Sequence, residues 1–185
     1  MRLCALFLLL TALCSPLQGR SPHVGEQARR IKALSEEEVA GYLAGAGMGH
    51  ALAAELNHHP GPRHVLELAS ALALTDDQYT RTAALFRAMK EEASNLGARL
   101  IEKEQTLDAL FASGTVSPET LRVLVDEIGA LQARIRHAHL KAHVEQRQIL
   151  TEEQVQRYDR LRGYTGGGTG HLGHGQNHQG HAHRK

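Results

Sequence analysis

The chain has 185 residues, of which 21 are basic and 20 acidic, for a formal net charge of +1. That length allows one modest core, and the even charge balance excludes the basic footprint a nucleic-acid phosphate backbone requires. Aromatics are 4% with no Trp, while Ala, Leu, Glu, Gln and Arg recur, which excludes a β-sandwich or barrel in favour of an all-α fold.

The N-terminus reads as a secretory signal over residues 1–20. Met1 and Arg2 form a positive start, and Leu3 to Cys14 form an apolar run too short for a membrane span. Ala12 with Cys14, or Leu17 with Gly19, can fill the small-residue positions of a cleavage site. Leu13 before Cys14 is a poor lipobox, so plain export without a lipid anchor is the expectation. Both cysteines, Cys4 and Cys14, lie in this segment, so a chain cut beyond them must ligate metals through His, carboxylate or Met.

From Ser35, the run Ser-Glu-Glu-Glu predicts a capping box and a short helix, weakened by Gly41, Gly45, Gly47 and Gly49. Asn57 to Pro62 is a turn cluster, with a helix restarting at Pro62. Tyr79, Phe86, Met89, Ala93, Leu96, Leu100, Leu107 and Phe111 form one apolar stripe, broken at Ala112–Ser117. Ser117-Pro118 then opens a second long helix, whose seam is Leu121, Leu124, Ile128, Leu131, Ile135, Ala138 and Ala142. Two stripes and a short loop predict a long antiparallel helical hairpin with short flanking helices. A last short helix reaches Tyr164, and residues 165–185, rich in Gly, His, Asn and Gln, are expected to be a disordered tail.

Leu74-Thr75-Asp76-Asp77-Gln78 and Leu150-Thr151-Glu152-Glu153-Gln154 are two copies of one pentapeptide, each where the periodicity starts a helix. Thr75 and Thr151 are read as caps, with Gln78 and Gln154 reaching back to them and an acidic pair on the positive end of each helix dipole. This pair, behind a signal peptide, resembles the LTxxQ-motif periplasmic family of Spy/CpxP-type chaperones and zinc resistance-associated proteins. The likeness runs from about Ile31 to Tyr164. Ile31 to Ser35, Gly47-Met48-Gly49, Ala54 to Asn57, Pro60 to Leu68 and His139 to His143 resemble its heavy-metal-sensor branch. The resemblance implies a helical domain over 31–164, a homodimer, no enzymatic activity, and contact with unfolded clients or a membrane stress-signalling partner. The histidine-rich extension is not part of it.

Thirteen histidines make metal binding the central question. His171, His174, His178, His181 and His183 are spaced by Gly, Gln and Asn, a composition able to wrap imidazoles round Zn, Ni, Cu or Co. His139 and His143, four apart, share a helix face, which suits one ion held by two imidazoles or equally a solvent-facing pair; the resemblance tips the reading toward a site. A third ligand is expected from His64, Met48 or Glu67. His58-His59 reads as an exposed turn, and His23 and His50 have no partner at useful spacing. No catalytic signature is present: no G-x-S-x-G, H-E-x-x-H, phosphate-binding glycine loop or mature cysteine nucleophile. Two functions follow: periplasmic binding of divalent transition metals as sensor, buffer or resistance accessory, or ATP-independent chaperoning on a concave hairpin surface.

Overall fold

A computed structural model describes Gly19 and residues 21–165. The predicted signal segment, apart from Gly19, and the tail from residue 166 therefore lie outside the described residues. After a 3-10 turn at Glu26–Ala28, six helices follow: α1 Glu36–Leu43, α2 Leu52–Glu55, α3 Pro62–Glu67, α4 Asp76–Ser113, α5 Pro118–Ile149 and α6 Glu152–Arg162. Among the described residues there is no strand, as the composition predicts.

Local chemistry starts these helices. Ser35, Thr75, Ser117 and Thr151 each accept from the N3 backbone N–H, and the N3 side chain, Glu38, Gln78, Thr120 or Gln154, accepts from the cap's own N–H. Pro62 and Pro118 occupy first helical positions, where their missing N–H costs nothing. Gly114, at φ 68°, ends α4 in the left-handed region that favours glycine.

α4 and α5 form the hairpin. Its core is Leu96 and Leu100 from α4 with Leu124, Ile128, Leu131 and Ile135 from α5. The seam predicted for α5 is buried as expected, apart from half-buried Leu121. The ends of the α4 stripe are not: Tyr79 is 51% and Phe111 57% exposed. Ala93 to Ile101 is where α1 and the segment before it cover α4, with Ile31 and Leu34 against Ile101; beyond that cover Phe86, Met89 and Leu107 are half-buried and the two ends open to solvent. At Gly97 a Cβ would stand 2.3 Å from the Tyr42 carbonyl oxygen, so α1 approaches α4 by way of that glycine.

α6 and α3 close the other end. Val65, Leu72, Leu150, Val155 and Tyr158 make a second core. There the two pentapeptide copies meet. Gln78 Nε2 donates to Gln154 Oε1 at 2.8 Å, and Gln154 Nε2 donates to Gln78 Oε1 at 2.9 Å. The remaining amide protons go to the Ile149 carbonyl at 3.0 Å and the Leu72 carbonyl at 3.3 Å. The repeated motif is thus two caps joined by a reciprocal amide pair, with every hydrogen-bonding position of both side chains in use.

Candidate metal centre

α5 presents His139 and His143 inward because its helical period places them beside the seam residues Ala138 and Ala142. Both are withdrawn from water, His139 to 4% exposure. They do not form a solvent-facing pair. A cavity of about 330 Å³ lies between the 44–47 loop, the start of α3, α4 and α5, and His64, His139 and His143 all line it. Met89, which its spacing put on the apolar stripe of α4, lines the same cavity.

Beside it stands Glu55, the last residue of α2, 6% exposed. Tyr158 and Tyr164 both donate hydroxyls to its Oε1, and the Gly61 N–H donates to Oε2 at 3.1 Å. His64 Nδ1 is 3.5 Å from Oε1 and His143 Nδ1 3.7 Å from Oε2, with Arg162 Nε 3.6 Å from Oε1. A buried carboxylate is costly unless satisfied, and these donors satisfy it. Burial and the Glu55 carboxylate together push the Tyr158 hydroxyl far up, so it remains a donor at any physiological pH.

The hydrogen bonds decide the ring tautomers. His143 Nδ1 lies 2.7 Å from the His59 carbonyl, which can only accept, so Nδ1 carries the proton and Nε2 keeps its lone pair. Tyr158 gives its one proton to Glu55, so His64 Nδ1, 3.3 Å from the Tyr158 oxygen, donates and likewise leaves Nε2 free. Gly61 lies directly on the His143 ring, where a Cβ would come within 2.9 Å of Cε1 and Nε2. Burial lowers the pKa of His143, and pushes that of His139 down to about 4, helped by His50 and His143; both are neutral at pH 7, the form an imidazole must have to ligate.

The two α5 histidines face different neighbours. His143 belongs to the Glu55 cluster, whereas His139 stacks on His50 with ring centres 5.6 Å apart. His50 therefore has a partner, which its Gly-flanked position in the sequence concealed. Met48 is not among the residues that line that cavity: at φ 42° it lays its sulfur over Gly41, where a Cβ would come within 2.8 Å. Glu67 pairs with Arg63 at 2.9 Å. His58 is an exposed turn residue, as expected, yet its Nδ1 holds the buried Asp159 at 2.7 Å. Thr75, Gln78, Thr151 and Gln154 are engaged as caps, and His171, His174, His178, His181 and His183 lie outside the described residues. Among the described residues no three His, Cys, Asp or Glu side chains are already gathered to hold an ion. Glu55 was invisible to spacing arguments because its partners come from α3, α5 and α6.

No curated protein and no solved structure matches the chain significantly. A family model described as heavy-metal resistance matches residues 39–157, which contain Glu55, His64, His139, His143 and both pentapeptides. With well over half of its length matched, the chain belongs to the heavy-metal resistance family.

Proposed function

We propose that the protein is an exported, periplasmic metal-binding protein that takes a divalent transition-metal ion on the Nε2 atoms of His64 and His143, with Glu55 as the neighbouring counter-charge. The observation that carries this is the fixing of both Nδ1 atoms, one on the His59 carbonyl and one on the Tyr158–Glu55 pair. Metal-binding histidines characteristically give their other ring N–H to a carboxylate or carbonyl, which sets the tautomer and raises ligand basicity. The buried negative charge of Glu55 partly offsets the positive charge of a dication, and the adjoining cavity has room for water to complete the coordination. The tail histidines His171 to His183 supply a second set of imidazoles for the same class of ion.

The test is the thermal midpoint of the full chain with and without Zn, Ni or Co. An ion held by the fold raises the midpoint, whereas one held only by the tail does not stabilise the folded state over the unfolded. Zn at a hundredfold excess over its Kd should raise it by roughly 5–10 °C. His64→Gln and His143→Gln should each remove most of that rise; a rise unchanged in both variants refutes the site.

A further inference from the structure

His139 and His50 each bury an Nε2 atom that no hydrogen-bond partner among the described residues satisfies. An orphaned buried ring nitrogen is costly, and two in one stacked pair ask for a common explanation. The rings are 5.6 Å apart centre to centre and inclined by 22°. Two imidazoles bound to one ion at about 2.0 Å each place their ring centres roughly 5–6.5 Å apart, so these rings are near enough to share an ion once they turn their Nε2 lone pairs toward each other.

The electrostatics around this pair differ from those around Glu55. The groups that bear on His139 are His50, His143 and the Ala46 backbone; the charged group that bears on His50 is the Arg136 guanidinium. Among the described residues no carboxylate is one of them. The cost of burying an ion climbs steeply with its charge, and a dication between two neutral donors, with Arg136 nearby, lacks any compensation. A monovalent d10 ion carries less charge and is content with two nitrogen donors.

We infer that His50 and His139 form a second, carboxylate-free site that binds monovalent copper, bridging the 44–50 loop to α5. The inference extends the metal-handling reading to a different ion at different ligands, and the two can fail separately. The probe is Cu(I), supplied anaerobically from a chromophoric Cu(I) chelator to the full chain, with the thermal midpoint as readout and Zn as the parallel arm. Cu(I) should raise the midpoint of the unsubstituted protein by roughly 5–10 °C at a hundredfold excess over its Kd. The rise should persist in His143→Gln and be lost in His50→Gln and in His139→Gln, with the Zn response of His50→Gln unchanged. Glutamine keeps a polar group of similar size, and helical circular dichroism of the apo variants verifies folding. Absence of a Cu(I) rise in the unsubstituted protein, its survival in His50→Gln, or its loss in His143→Gln overturns the inference. A Zn rise indifferent to His64→Gln and His143→Gln instead overturns the Glu55 site and leaves this one standing.

Discussion

Truncating Gln78 should cost far more than an exposed polar side chain normally does. The Gln78 amide donates to Ile149 and Gln154 at 3.0 and 2.8 Å, and its oxygen accepts from the Thr75 N–H at 3.1 Å and from Gln154 at 2.9 Å. At a net worth of about 1 kcal/mol per bond, discounted for water reaching this half-buried site, Gln78→Ala should lose about 2–3 kcal/mol. Gln154→Ala should lose a similar amount. Because the two side chains satisfy each other, the double variant should lose less than the sum, with a coupling of about 1–2 kcal/mol. Gln78→Glu keeps the oxygen for Thr75 but loses both donors, so it should behave nearly as badly as alanine. Urea unfolding followed by circular dichroism measures the four variants against the unsubstituted protein. A coupling below about 0.5 kcal/mol would mean that the caps act independently and that the amide pair adds nothing.

Two further outcomes follow from buried groups. His139 titrates near pH 4 when folded against an ordinary 6.5, because burial and its neighbouring histidines disfavour its charged form. The unfolded chain then binds a proton that the folded one refuses. Stability is full above pH 6.5 and falls as pH drops toward 4, by about 2 kcal/mol at pH 5 from this group alone. Urea midpoints in chelator at pH 7 and pH 5 should show the loss in the unsubstituted protein and about 2 kcal/mol less of it in His139→Leu; equal pH sensitivity refutes the assignment. Gly97→Ala gains helix propensity of about 1 kcal/mol but drives a methyl onto the Tyr42 backbone at 2.3 Å, so α1 must shift and the net change should be a loss of about 1–2 kcal/mol. A higher thermal midpoint for that variant would show that α1 rides loosely on α4.

The helix starts were legible in the sequence because capping is local: Thr75 sees Gln78 and Thr151 sees Gln154 within three positions. The seam of α5 was legible for the same reason, since its period repeats every turn. What no local rule could supply was the meeting of Gln78 with Gln154, 76 residues apart, or of His143 with the carbonyl of His59, 84 residues away. Helical spacing placed His139 and His143 on one face, as found, but it could not say that the first turns to His50 and the second to Glu55. Glu55 itself sits in a four-residue helix with no periodicity to mark it.

The Glu55 cluster also sets an order of events in folding. Its hydroxyl donors, Tyr158 and Tyr164, lie 103 and 109 residues away along the chain. Closing so long a loop costs entropy that only a preformed hairpin can shorten, so these bonds come after α4 and α5 have paired. Interactions made after the transition state leave the folding rate alone and slow unfolding. The cluster is therefore a latch on the finished molecule: its strength governs how long the chain, once folded, stays closed, and hardly at all how quickly it arrives.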